Sequence, residues 1–160
     1  MKTLYIDCSM GCAGDMLTAA LLELHPDPAA FLAGMNAALG GRAVVSAAPD
    51  AKCGIRGTHV TVSIHGQQEG ADPPHAEHTH GGASAAEIMA FLDAVPLSRL
   101  VRENAKAVYA RLLEAESAVH GCAVEQVHFH EVGALDALAD VLCVCAHRRR
   151  SGCCAACRSM

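Results

Sequence analysis

The chain predicts an α+β or α/β fold, with a short mixed sheet packed by amphipathic helices. Three observations carry that expectation. Runs with a side-chain period of two alternate with longer runs at helical spacing. Small, glycine or proline segments separate them and supply turns and helix stops. The composition, 52% hydrophobic and 18% charged over 160 residues, suffices for one domain with a sizeable core. The element order reads strand, two helices, two strands, two helices, strand, helix. No internal repeat, P-loop or dinucleotide fingerprint interrupts it.

Residues 3–8 are rich in β-branched and aromatic side chains and read as a buried first strand. Residues 9–14 form a small-residue turn. Helical spacing then runs through Met16, Leu17, Ala20, Leu21 and Leu24 and ends at His25-Pro26. A second helix covers 28–39, with Phe31, Leu32, Met35 and Leu39 on one face and Gly40-Gly41 as its stop. Strands follow at 43–48 and 58–65, the latter turning Val60, Val62 and Ile64 inward and leaving His59 and His65 to solvent. Residues 66–82 lack apolar periodicity and read as a mobile loop that carries His75, His78 and His80. Ser84-Ala85-Ala86-Glu87 is a capping box opening a helix to about Leu92, with Ile88, Phe91 and Leu92 inward. Ser98 caps the longest helix, to about His120, with Val101, Ala105, Val108, Leu112 and Val119 as its buried stripe. After a strand at His128 comes a helix over 134–145. Residues 146–160 show neither a helix face nor alternation and read as a disordered basic tail, with Cys153, Cys154 and Cys157 a weak zinc or redox signal.

Composition also excludes functions. A net charge of −5, with ten histidines counted neutral, argues against nucleic-acid binding, which needs a basic face, and favours metal cations as partners. The aromatic content is 3% with no Trp, so the core is built from Ala, Leu, Val and Met. Nine cysteines are an odd number at irregular spacing, and the N-terminus has no signal-peptide pattern. Asp7, Asp15 and Glu23 break the only apolar stretch near the start, so the chain is expected to be cytoplasmic and reduced. Cys8, Cys12, Cys53, Cys122, Cys143 and Cys145 then read as small buried hydrophobes.

The chemistry concentrates in Val127-His128-Phe129-His130-Glu131-Val132-Gly133-Ala134-Leu135-Asp136-Ala137-Leu138-Ala139-Asp140. In an extended segment His128 and His130 leave the same face. A turn at Gly133 and a helix after it put Asp136 and Asp140 one turn apart on one side. Imidazoles with added carboxylates suit an exchangeable divalent transition-metal site, with Glu131, Asp136 and Asp140 beside the two histidines. The alternative is an edge strand with solvated histidines and a wet helix face. A second candidate lies at the start, where Asp7, Ser9, Gly11, Gly14 and Asp15 surround a strand, glycine turn and helix N-terminus. Free backbone N–H groups there suit phosphate. Asp15 can instead satisfy those donors as a cap. His75, His78 and His80 could capture nickel, zinc or copper weakly, or form a polar loop that is merely rich in histidine.

The His128–Asp140 motif resembles the signature of the nickel-insertion proteins that complete the nickel-pincer nucleotide cofactor of lactate racemase. Tyr5-Ile6-Asp7-Cys8-Ser9-Met10-Gly11-Cys12-Ala13-Gly14-Asp15-Met16 resembles that family's opening motif. The resemblance runs from about Lys2 to about Cys145, and full-length members are considerably longer. It implies an N-terminal module over 1–145, with a separate or frame-shifted C-terminal half as partner and a non-family tail over 146–160. It further implies nickel as cargo, a pyridinium nucleotide precursor, and CTP with Mg2+ or Mn2+ in the full-length protein. A histidine-rich insertion at the 66–82 loop is a family habit, which favours metal capture. Two other functions stay open: a non-catalytic nickel-binding or storage module, and a metal-dependent hydrolase using the His-x-His strand.

Overall fold

The computed structural model describes residues 4–7, 9, 11–64, 67–68, 83–129 and 135–150, and only the backbone of 67–68, 128 and 148–150. Among the described residues, five α-helices and a short 3-10 helix accompany two small sheets. The larger sheet is built on a hairpin of β1 (Val44–Lys52) and β2 (Ile55–Ile64), antiparallel from Val44 opposite Ser63 to Lys52 opposite Ile55. Cys53 and Gly54 close it, with φ of 53° and 81°. Two successive positive φ values match the right-handed twist of the flanking strands. The third strand, β3 (Gln67–Gln68), pairs antiparallel with the end of β2. The smaller sheet pairs β4 (Ala83–Ser84) with β5 (His128–Phe129), also antiparallel. All described pairings are therefore antiparallel, so α+β is the class that holds, with two sheets in place of one mixed sheet.

Helices α1 (Gly14–Glu23) and α2 (Pro28–Leu39) pack against the hairpin, and α3 (Ala85–Ala94), α4 (Arg99–His120) and α5 (Leu135–Arg150) complete the body. Val45, Val60 and Val62 form the inner face of the hairpin, against Phe31, Met35, Leu39, Leu92 and Leu142 among others. Each fully buried leucine or valine contributes about 1.5–3 kcal/mol. Asn36 joins helix to strand: its side-chain amide donates to the Val45 carbonyl at 2.9 Å and its oxygen accepts the Val45 N–H at 2.8 Å. That clamp satisfies both backbone groups of an edge-strand residue.

Most boundaries follow local chemistry. Asp27 caps α2 by accepting the Ala30 N–H, Pro28 takes the first helical position, and Gly40 ends the helix in the left-handed region. Ser84 and Glu87 make the expected capping box on α3. Ser98 caps α4, and Gly121 terminates it with a φ of 63°.

Four expectations are corrected. Residues 4–7 join neither sheet and lie exposed, because strand propensity forms a strand only where a pairing edge exists. The inward face of α1 is Thr18, Ala19, Leu21 and Leu22, while Met16 and Leu24 face solvent. The buried stripe of α4 is Val101, Ala105, Tyr109 and Leu113, so Val108 and Val119 are exposed and Leu112 is only half-buried. Finally, α5 continues past Cys145 to Arg150, so the first five residues of the expected tail are helical. His147 explains the extension. It is buried, its Nδ1 donates to the Cys143 carbonyl at 3.1 Å, and its ring lies 3.7 Å from that of Phe31, centroid to centroid. Residues 151–160, with Cys153, Cys154 and Cys157, lie outside the described residues. Of the cysteines expected inside, Cys143 and Cys145 are buried and Cys122 is half-buried, but Cys12 and Cys53 are exposed.

Candidate metal and phosphate site

The start of α1 and the first two turns of α5 meet. Gly14 opens α1, and a Cβ built on it would stand 2.6 Å from the Asp140 Cβ and 2.8 Å from its Oδ2. Only glycine admits that approach. The α1 terminus is otherwise sparsely capped, since Ala13 at its N-cap makes no side-chain hydrogen bond. The Asp140 carboxylate thus sits beside the positive end of the helix dipole, where negative charge is stabilised.

Asp136 lies one turn before Asp140 on the same side of α5, as helical spacing requires. The buried Oδ1 of Asp136 has no hydrogen-bond partner among the described residues. An orphaned carboxylate oxygen is costly to bury and is the chemistry of a waiting ligand. From α4, Tyr109 closes the floor: it is fully buried, and burial, then Asp136, then Asp140 push its phenol well above its ordinary value. Its ring stands edge-on to Phe129, 6.0 Å between centroids. Phe129 is the neighbour of His128 in β5, so the aromatic pair ties the strand to the carboxylates. Burial and Asp140 push the Cys143 thiol up to about 12, and it packs as a small buried side chain.

The opening motif is placed in part. Asp7 is exposed, and its Oδ1 accepts the Ser9 N–H at 2.9 Å, which holds its carboxyl below the usual value. Gly11 has a φ of 82° and open space around it, so the chain turns there as the glycine predicts. Asp15 accepts the Met16 N–H at 2.7 Å, taking up one free donor of the first helical turn.

His128 is placed by its backbone alone, opposite Ser84 in the β4–β5 ladder. His130 and Glu131 lie outside the described residues, as do His75, His78 and His80. Among the described residues no three His, Cys, Asp or Glu side chains converge. What the structure brings together is Asp136, Asp140, Gly14 and Tyr109. Tyr109 falls outside the stripe that the sequence predicts for α4 through Val108. A four-residue step from Ala105 would have found it.

Two half-buried aspartates of one helix, Asp140 set against the start of another and both downstream in sequence of His128, offer carboxylate oxygens of the kind that could hold a divalent cation. The particular class follows from similarity. Residues 4–155 match the family described as Nickel insertion protein, and the chain belongs to that family. The pyridinium-3,5-bisthiocarboxylic acid mononucleotide nickel insertion protein of Akkermansia muciniphila is 35% identical over 142 residues, 88% of this chain and 34% of that one. The protein of the same name from Lactiplantibacillus plantarum is 33% identical over 153 residues, 91% of this chain and 36% of that one. The chain therefore spans about a third of the length of these relatives. No solved structure matches it. Among the described residues, no helix is long and apolar enough to cross a membrane.

Proposed function

We propose that this chain is the nickel-handling N-terminal module of a CTP-dependent nickel insertase, a lyase of the cytoplasm that matures the nickel-pincer nucleotide cofactor of lactate racemase. The observation that carries the reading is the half-buried pair Asp136 and Asp140 on one side of α5, with Asp140 against Gly14 at the start of α1 and the pair following the His128-Phe129-His130-Glu131 motif in sequence. Nickel bound by imidazole and carboxylate is held by harder ligands than the sulfurs of a bisthiocarboxylate, so transfer to the softer set is favoured. Carboxylate oxygens from α5 and the imidazoles of the motif would hold the cargo without trapping it.

Chain topology supports a supply route. The histidine-bearing segment 69–82 leads directly into β4, and β4 pairs with β5 at His128. His80 is three residues before Ala83, a span of at most about 10 Å. Capture on His75, His78 and His80 followed by passage to His128 and His130 is a short step.

The start of α1, with Asp7, Ser9, Gly11, Gly14 and Asp15, is the proposed contact for a nucleotide phosphate. The Asp140 carboxylate beside Gly14 favours a phosphate that arrives with Mg2+ or Mn2+ over a bare one. The partners in this reading are nickel, the pyridinium nucleotide precursor, and a separate or frame-shifted C-terminal half. By itself the chain binds the metal and does not complete insertion. The test mixes the purified chain with nickel, CTP and the metal-free precursor, then assays activation of apo lactate racemase. The expected outcome is nickel binding without activation, and activation at the rate of a full-length relative contradicts it. A storage module is distinguished in the same mixture, because it binds nickel and ignores the precursor.

A further inference from the structure

Leu4, Tyr5 and Ile6 are three consecutive strand-forming residues that neither sheet includes. They are 38%, 84% and 49% exposed, so side chains on both faces of the segment are uncovered at once. Met16, at 60% exposure, adds a fourth apolar side chain at the outer start of α1. Runs of this kind rarely stay in water unless something docks on them. Nor is the segment an appended tail, since the family match begins at residue 4.

We propose that Leu4–Ile6 is a docking strand, and that its occupant is the part of the family protein beyond the third that this chain matches, supplied as a second polypeptide. This rests on the reading of the chain as an N-terminal module. Relatives that align over about nine-tenths of this chain carry roughly two-thirds of their own length outside the alignment. That polypeptide supplies a strand edge and an apolar face. Strand addition satisfies the backbone groups of residues 4–6 and covers Tyr5 and Ile6 together, which is how an extended segment gains both affinity and register. The docked strand runs straight into Asp7 and the Gly11–Gly14 turn, so docking also orders the proposed phosphate contact. A second copy of this chain is the rival occupant, and it is unfavourable. It would offer another uncovered segment of the same kind, and a lone two-stranded pairing is marginal in water.

The test co-expresses the full chain with the polypeptide of the Akkermansia muciniphila relative that lies beyond the matched portion. Co-purification is then measured for wild type, Ile6→Asp, Tyr5→Ser and, as a distant exposed control, Val119→Asp. The proposal expects a one-to-one complex with wild type and with the control, weakened at least about tenfold by Ile6→Asp and by Tyr5→Ser. Amide exchange at residues 4–6 should slow on complex formation. These side chains are exposed, so the substitutions should leave the thermal midpoint of the isolated chain unchanged, with Tyr5→Ser the milder variant if Ile6→Asp unfolds. Absence of a complex with wild type, or a complex indifferent to both substitutions, overturns the proposal. So does a dimer of the chain alone that Ile6→Asp abolishes. Nickel titration of the isolated chain reads the metal site separately, so loss of the docking result and loss of the nickel reading can be told apart.

Discussion

Gly14 is where the two halves of the candidate site touch, and its missing side chain sets their spacing. A Cβ there would fall 2.6 Å from the Asp140 Cβ and 2.9 Å from its Cγ, well inside contact distance. Gly14→Ala should therefore push α1 away from α5 and cost about 1–3 kcal/mol, read as a lowered urea midpoint. An unchanged midpoint would mean that Asp140 swings aside freely. His147 makes a second prediction at this scale. Burial lowers its pKa, the Cys143 carbonyl raises it in part, and His25 lowers it further. Its folded value thus lies below the ordinary one of about 6.5. Stability from the neutral ring is then complete above about pH 6.5 and is lost as pH falls through the folded value. His147→Phe should shrink the fall in urea midpoint between about pH 7 and pH 5. An identical fall in the variant would show that other groups carry the acid sensitivity.

Elements were legible where the signal was local. The Ser84 to Glu87 capping box, the Ser98 cap and the Gly40 and Gly121 stops all lie in a few consecutive residues, and each sits where the sequence predicts. In the structure the Ser84 N–H donates to Glu87 at 2.8 Å, and the Glu87 N–H donates to Ser84 Oγ at 3.3 Å. Because Ser84 also pairs with His128 in β4–β5, the cap anchors α3 and the histidine strand together. Ser84→Ala should cost about 1 kcal/mol by urea denaturation. A loss under a few tenths would show that the ladder alone holds the segment. Faces and pairings were less legible because they depend on residues distant in sequence. The stripe of α4 turns on Tyr109, which only the approach of α5 and Phe129 makes a core residue. The extension of α5 depends on Phe31 receiving His147. Leu4–Ile6 has strand chemistry without an edge to pair with, and sequence alone cannot supply the edge.

Across the whole molecule, the fold serves to bring α1, α4, α5 and the β4–β5 ladder to one locus. Asp136 and Asp140 were legible from helical spacing, and the glycine at 14 from its turn. That Asp140 lies against Gly14 was not, because the contact crosses more than a hundred residues of sequence. The family is that of nickel insertion proteins, and the chain matches about a third of its relatives' length. Nickel binding at the junction of the His128 strand and α5 is the proposal on which the functional reading depends. Isothermal titration of nickel into wild type and a His128→Ala/His130→Ala double variant tests it most directly, with thermal melts to confirm that both are folded. The double variant should lose one nickel site and retain only the weak binding of the 66–82 histidines. Equal affinity and stoichiometry in the two proteins would contradict it.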